Sequence, residues 1–372
     1  MEKKNKIFYL ITELERGGAE ILLLDLVKAL PKEKFDIKVG YLRGQGTLSD
    51  EFKANNIDVT FFNIRSRFDI IGIFKLVNFL KRHCFDIVHT HLIDADIFGC
   101  IAAKIAKVPV IVSTKHNTDT FRKKKMPAVW LDTFLANNST KVIAVSAAVK
   151  DFLIKFQKIN PNNIEIIHNG VDLRKINRTI DIKQAKTALG INPDDHVVGC
   201  IARFDEQKGH RYLVEAMDKV SAKIKHVFFV FVGVGELEAK IKERINQLNL
   251  NDKVKFLGQR DDINNILSAL DVFVLPSVWE GLGIVLLEAQ AACLPVVATK
   301  VDGIVEVVKD GVTGLLVPAK DAQSLAAAII NLIEDHDKAC RYGKNGREFV
   351  SQNFSIEKMT KKIETLYHNL TG

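Results

Sequence analysis

Cysteine is scarce in this 372-residue chain and comes to an odd five: Cys84, Cys100, Cys200, Cys293 and Cys340 lie far apart with no CxxC pair. That spacing argues against a disulfide framework and against a zinc site, and it predicts that most of them are buried small hydrophobes. Proline is also sparse, at 8 residues, and no low-complexity segment occurs, so a disordered tail protein is not expected. Long apolar runs are missing. The longest, such as Val227–Val232, are strand-sized, against the ~20 residues of a membrane-spanning helix. The start, Met1-Glu2-Lys3-Lys4-Asn5-Lys6, runs into Ile7-Phe8-Tyr9-Leu10-Ile11 with no signal-peptide core or cleavage site, so the expected location is the cytosol. Two nucleotide signatures are absent as well. No GxGxxG follows a strand, since Gly233-Val234-Gly235-Glu236-Leu237-Glu238 lacks the third glycine, and GxxxxGK followed by Ser or Thr does not occur. The first absence argues against a nicotinamide dehydrogenase and the second against a P-loop ATPase.

What is present is a globular composition, 47% hydrophobic and 26% charged, in a chain longer than one hydrophobic core usually serves, which predicts two domains. The net charge of +8 is unevenly spread: residues 1–170 hold 26 basic against 18 acidic side chains, and the remainder 27 against 27. The N-terminal half is therefore expected to meet something anionic, whether a membrane surface, a phosphorylated acceptor or a nucleic acid.

Short β-branched runs alternate with helix-length segments, first at Lys6–Thr12, Phe35–Leu42, Asp58–Ile64, Asp86–His91, Pro109–Lys115, Lys141–Ser146 and Ile164–His168. This is the rhythm of a parallel sheet. Between Gly170 and His196 the chain turns polar and is expected to be a linker. The rhythm restarts at Val197–Phe204, Val227–Val232, Val254–Leu257, Val272–Leu275, Pro295–Thr299 and Gly314–Val317. A last amphipathic segment, Ser355–Leu370, aligns Ile356, Met359, Ile363, Leu366, Tyr367 and Leu370 and must dock on a core, possible ground being the first domain. Two doubly wound sheets place ligand sites at the C-terminal ends of their strands, with the largest cleft expected between domains.

The strongest constellation is Glu280-Gly281-Leu282-Gly283-Ile284-Val285-Leu286-Leu287-Glu288, two carboxylates around a glycine-bearing loop after a strand. A helix starting near Gly283 would offer its first amides to an anionic phosphate. Glu288, about 7.5 Å along that apolar helix, needs a partner, either a protein donor within the core or the hydroxyls of a ribose. Second is Arg203-Phe204-Asp205-Glu206-Gln207-Lys208-Gly209, where Arg203 and Lys208 can reach one diphosphate across a turn, or form an ordinary solvated loop. Gly17-Gly18-Ala19-Glu20 permits close backbone approach before a helix, though many such turns contain Gly-Gly. His116 ends a strand where an imidazole can meet a sugar hydroxyl, or serve the structure alone. His89 and His91 share a strand face near Asp94 and Asp96. A metal is conceivable there, but helix capping by Asp94 is the commoner reading.

Together, GGAE at 17–20, HNGVD at 168–172, ARFxxxKG at 202–209 and Glu-x7-Glu at 280–288 resemble the retaining GT-B glycosyltransferases of family GT4. The resemblance spans nearly the whole chain and implies an α/β fold of two Rossmann-like domains with an interdomain cleft and a C-terminal helix crossing back. Residues 1–172 with 355–372 would bind the acceptor, and 173–354 the nucleotide-sugar donor. It further implies that Arg203 and Lys208 hold the donor diphosphate with backbone at Gly18 and Leu282, Gly283 and Ile284. Glu288 would take the ribose, Glu280, Gly281 and Leu282 the sugar, and Gly258, Gln259 and Arg260 would lie beside the base. His116, Glu280, Arg203 and Lys208 are the implied catalytic set, with no metal and no cofactor. Asp94-Ala95-Asp96 fits the metal-binding DxD of GT-A enzymes only superficially.

On the acceptor side, Arg122, Lys123, Lys124 and Lys125 precede Trp130, a composition suited to an anionic membrane surface or to a solvated loop before a core-facing helix. Arg65, Arg67, Phe68, Ile70 and Ile71 offer a second contact. The expected activity is transfer of a hexose, from a UDP-sugar rather than GDP-mannose, to a lipid-linked or membrane-associated glycan. The enzyme would then be cytoplasmic, with a peripheral place on the inner membrane face. Alternatives are a sugar-nucleotide epimerase or hydrolase, and a basic membrane- or nucleic-acid-binding module. Nucleic acid is not an expected partner, because the basic stretch lacks regularly spaced stacking aromatics.

Overall fold

The computed structural model describes residues 4–64, 66, 69–118, 127–176 and 180–372. Arg65, Arg67, Phe68 and Arg122 to Lys125 lie outside the described residues. The chain divides into two compact units: Met1–Gly170 with Ile356–Gly372, and Val171–Ser355.

In the first unit the β-branched runs become β1 (Asn5–Ile11), β2 (Phe35–Tyr41), β3 (Asp58–Phe61), β4 (Ile87–His91), β5 (Val110–Lys115), β6 (Lys141–Ala144) and β7 (Ile164–Ile166). They form one sheet in the order β3-β2-β1-β4-β5-β6-β7, every pairing parallel. Central strands covered on both faces must be apolar throughout, and Ile7 to Ile11 are all fully buried. Leu76, Val77 and Leu80 of helix Ile70–His83, Ile97 and Phe98 of helix Ile93–Ala106, and Leu135 of helix Pro127–Asn137 build one core against this sheet. Asp69 caps the first of these helices by accepting from the Gly72 N–H at 2.8 Å. The final helix, Ile356–Thr371, belongs to this unit and packs on helix Gly18–Ala29. It buries Ile356, Met359, Ile363, Leu366 and Tyr367.

The second unit has β8 (His196–Ile201), β9 (Val227–Val232), β10 (Val254–Phe256), β11 (Val272–Leu275), β12 (Val296–Thr299) and β13 (Gly314–Val317), ordered β10-β9-β8-β11-β12-β13 and all parallel. In each sheet the strand order reverses beside the first strand, between β1 and β4 and between β8 and β11. Loops leaving the two strands there depart to opposite sides and open a crevice at the sheet edge.

Three expectations need correction. The segment from Gly170 to His196 is more than a linker, because it belongs to the second unit and carries helix Ile182–Ala188. That helix is seven residues long and too polar to show a periodicity. It is fixed by tertiary contacts instead: the buried Lys186 ammonium reaches Asp271 at 2.7 Å and the Asp195 carbonyl at 2.8 Å. Asp94 does not cap its helix, since the N-cap is Leu92 with no side-chain cap bond, and Asp94 pairs with Arg43. Of the cysteines only Cys100 and Cys200 are buried, whereas Cys84 and Cys340 are exposed and Cys293 is intermediate.

Candidate functional site

The switch point between β8 and β11 gathers a connected polar cluster of the second unit. The loop after β8 brings Gln207 and Lys208, and the loop after β11 brings Ser277 and Glu280. Their main chains are joined where the Val278 N–H donates to the Gln207 carbonyl at 2.7 Å. Gly209 completes the approach: its φ is +64°, and a Cβ there would stand 2.1 Å from the Pro276 carbonyl oxygen, so both conformation and space require glycine. The Glu280 carboxylate, 7% exposed, accepts from Lys208 Nζ at 2.5 Å and Ser277 Oγ at 3.2 Å on Oε2, and from Gln207 Nε2 at 3.3 Å on Oε1. A buried carboxylate is tolerable only with such partners.

The Glu280 main chain is held from a third strand. Its N–H donates to Asp302 Oδ2 at 3.1 Å, and its carbonyl accepts from the Gly303 N–H at 3.2 Å. A Cβ on Gly303 would lie 1.9 Å from the Gly281 carbonyl oxygen, so this contact too requires glycine. Gly283, at φ +84°, then starts helix Ile284–Ala291 with no side-chain cap. Ile284 and Val285 are half-buried, so the first turn is accessible.

The remaining donor-side candidates are placed less centrally. Arg203 is directed to Asp205 at 2.6 Å with its side chain 68% exposed, while Asp205 also accepts from the Lys208 N–H at 3.0 Å. Gly281 and Leu282 are buried, and Glu288 is half-buried rather than enclosed in the core as its apolar helix suggested. Gly258, at φ +64°, has open space where a Cβ would be, and its carbonyl accepts from the Gly233 N–H at 2.8 Å. Gln259 is exposed, and Arg260 makes a bidentate pair with Asp262, both contacts at 2.7 Å. Gly233 and Gly235, the incomplete glycine motif, serve packing, since Cβ atoms there would lie 2.3 and 2.4 Å from the carbonyl oxygens of Ala202 and Phe204. Gln207, Ser277 and Asp302 were not foreseen. The only signal for them was the Asp302-Gly303 pair after β12 and the position of Gln207 beside Lys208.

In the first unit Gly18 is exposed at the start of its helix, behind the extended N-cap Gly17. His116, half-buried just beyond β5, lies with Nε2 3.0 Å from His91 Nδ1. His91 and His89 stack at 4.5 Å on one face of β4. His89 Nε2 lies 2.6 Å from Thr114 Oγ1, and its Nδ1 lies 2.5 Å from the Tyr367 hydroxyl, which meets the Tyr9 hydroxyl at 2.7 Å. Burial pushes His89 down to about 3 and His91 well below the ordinary imidazole range, so both are neutral at pH 7. His91 Nε2 is buried with no hydrogen-bond partner among the described residues. A bare lone pair costs less there than an unmatched N–H, so we assign the proton of His91 to Nδ1, donating to His116. The Asp94-Ala95-Asp96 carboxylates are engaged by protein cations. Asp94 takes Arg43, and the buried Asp96 takes Lys115 at 2.7 Å, which also reaches Asp132 at 2.6 Å. Trp130 is 70% exposed and not core-facing.

Comparisons with known proteins agree with this architecture. Residues 16–175 match the model described as Glycosyltransferase Family 4, and residues 181–349 that of Glycosyl transferases group 1. The chain is 34% identical, over 94% of its length and 93% of the relative's, to the Escherichia coli UDP-Gal:alpha-D-GlcNAc-diphosphoundecaprenol alpha-1,3-galactosyltransferase. It is 30% identical to the N-acetyl-alpha-D-glucosaminyl L-malate synthase of Bacillus anthracis, covering 82% of this chain and 80% of that one. Among solved structures, Anabaena HepE in complex with UDP-glucose superposes with a TM-score of 0.89 at 27% identity, covering 98% of this chain and 99% of that one. Two parallel α/β sheets, the converging polar loops at their switch points and this likeness over nearly the whole length lead to one conclusion: the chain belongs to glycosyltransferase family 4 and is a glycosyltransferase of GT-B type.

Proposed function

We propose that this glycosyltransferase moves a hexose, with retention of configuration, from a UDP-sugar to a hydroxyl of a lipid-linked or membrane-associated glycan, as a step in polysaccharide biosynthesis. Residues 173–354 would bind the donor, and residues 1–172 with the final helix the acceptor. The observation that carries the reading is the Lys208–Glu280 cluster beside the uncapped start of helix Ile284–Ala291, at the switch point of the second sheet. A cation and helix amides suit a diphosphate, and a fixed carboxylate suits sugar hydroxyls. UDP is favoured because HepE was crystallised with UDP and with UDP-glucose and the E. coli relative is named for UDP-Gal. A lipid-linked acceptor is favoured because that relative is named for a diphosphoundecaprenol substrate.

In this reading the bond between the anomeric carbon and the diphosphate oxygen breaks while Lys208, Arg203 and the helix amides stabilise the charge on the departing group. The acceptor oxygen bonds to the anomeric carbon from the same face, and its proton passes to a phosphate oxygen. His116, whose Nε2 accepts from His91, would donate a hydrogen bond from Nδ1–H at the transferred sugar. Glu288 would hold the ribose, and Gly258, Gln259 and Arg260 would border the base. The positive groups named here neutralise the leaving group, so no metal is invoked.

Calorimetric titration with UDP, GDP and ADP in the presence of EDTA tests the donor site. UDP is expected to bind, and Lys208→Ala and Glu288→Ala are each expected to weaken it at least tenfold. Binding of none of the three would overturn the reading. Donor consumption without any acceptor would favour a hydrolase or epimerase instead, and NMR of the product linkage reads the stereochemistry.

A further inference from the structure

Glu280 is the carboxylate assigned above to the donor sugar. Its carboxylate is in direct contact with Lys208, the cation assigned to the diphosphate, at 2.5 Å. It has little freedom to leave. Gln207 and Ser277 hold its two oxygens, Asp302 and Gly303 hold its N–H and carbonyl, and Gly303 admits no side chain against Gly281. Any phosphate reaching Lys208 therefore arrives beside a fixed negative charge that is itself mostly shielded from water, and like charges at that range repel.

We propose that Glu280 is a discriminator between the intact donor and the nucleoside diphosphate left after transfer. The inference rests on the donor-site reading given above. In a sugar nucleotide the β-phosphate is esterified and carries one charge, and the attached sugar brings hydroxyl donors that satisfy the carboxylate. In the nucleoside diphosphate the same phosphate ends in a second ionisable oxygen and offers no donor at neutral pH. The carboxylate thus favours the first ligand and opposes the second. Once the bond between the sugar and the diphosphate has broken, Glu280 works against the hold that Lys208, Arg203 and the helix amides keep on the product.

Calorimetry with UDP, UDP-galactose, UDP-glucose and the methyl ester of UDP at its β-phosphate tests this at pH 7.5. In the unaltered enzyme the methyl ester, which lacks the extra charge, is expected to bind several-fold more tightly than UDP. In Glu280→Gln, UDP is expected to gain about tenfold and the sugar nucleotides to lose, with the advantage of the methyl ester abolished. The proposal is overturned if UDP binds the unaltered enzyme as well as its methyl ester does, or if Glu280→Gln weakens UDP and the sugar nucleotides in parallel. The ester comparison needs no variant, so it stands even where Glu280→Gln does not fold. Failure of all four ligands to bind the unaltered enzyme would instead remove the donor-site reading, and the proposal with it.

Discussion

At the residue scale, the contact of His116 with His91 lets the role proposed for His116 be tested through a residue that would only position it. His91 is enclosed by the sheet and meets His116 through a single nitrogen contact of 3.0 Å. Replacing it with a ring of similar bulk that cannot donate leaves the packing and removes the orientation. His91→Phe is therefore expected to lower kcat about 10-fold to 100-fold with the KM for donor little changed, as befits loss of an aligned hydrogen bond. A parallel loss of donor affinity would refute the role. In the sequence His116 stands at a strand end, and His89 and His91 share a face near Asp94 and Asp96, where capping outweighs a metal. The partner of His116 became visible only when β4 and β5 were set side by side, with His91 opposite Thr114. Gln207, Ser277 and Asp302 were unreadable for the same reason. Their residue types are ordinary, and their contacts join loops from β8, β11 and β12 that are separated by up to 73 residues in the paired bonds.

At the scale of elements, the parallel strands were legible because each is a short β-branched run bounded by turn residues, and β1 and β8 open the two rhythms. What escaped was helix Ile182–Ala188, whose stability comes from Lys186 in a tertiary ion pair rather than from periodicity. The content of β4 has an energetic consequence. His89 and His91 are neutral in the fold, with His89 at about 3, but take up protons near 6.5 when unfolded. Below that value the unfolded chain binds more protons, so stability falls as pH drops from about 6.5 toward 3 and is unaffected by these groups above 7. At pH 5 each such histidine costs about 2 kcal/mol. Asp96, whose pKa burial raises, works in the opposite direction and offsets part of the loss. Urea unfolding at pH 7 and pH 5 is expected to show the decline, with a shallower dependence in His89→Gln. An unchanged midpoint would contradict the neutral assignment.

At the scale of the whole molecule, the charge excess of residues 1–170 coincides with unusual exposure of large apolar side chains in the same unit. Ile70, Ile71 and Phe74 are 65%, 70% and 62% exposed, and Trp130 and Phe134 are 70% and 62% exposed. Ile70, Ile71 and Trp130 sit in the first turns of two helices that follow β3 and β5, hence toward the C-terminal edge of one sheet, with Phe74 and Phe134 one turn further along. Apolar side chains presented with a positive unit suit the surface of an anionic bilayer. Sedimentation with phosphatidylglycerol vesicles is expected to capture the protein at low salt and release it as salt rises. Phe74→Ser with Trp130→Ser should weaken capture about tenfold while leaving UDP affinity unaltered. Equal capture by neutral phosphatidylcholine vesicles, or no effect of the pair, would count against a peripheral membrane contact.

The assignment of Ile356–Gly372 to the first unit, with Val171–Ser355 between, bears on the order in which the protein takes shape during synthesis. The Tyr9 hydroxyl lies in the first strand, and its partner on Tyr367 lies 358 residues later. When the ribosome has made all of β1 to β7, the face that receives the final helix is still uncovered. Residues 171–355, by contrast, contain every strand and helix their own unit uses. Although domains commonly mature in the order they are translated, here the unit begun first is the one completed last.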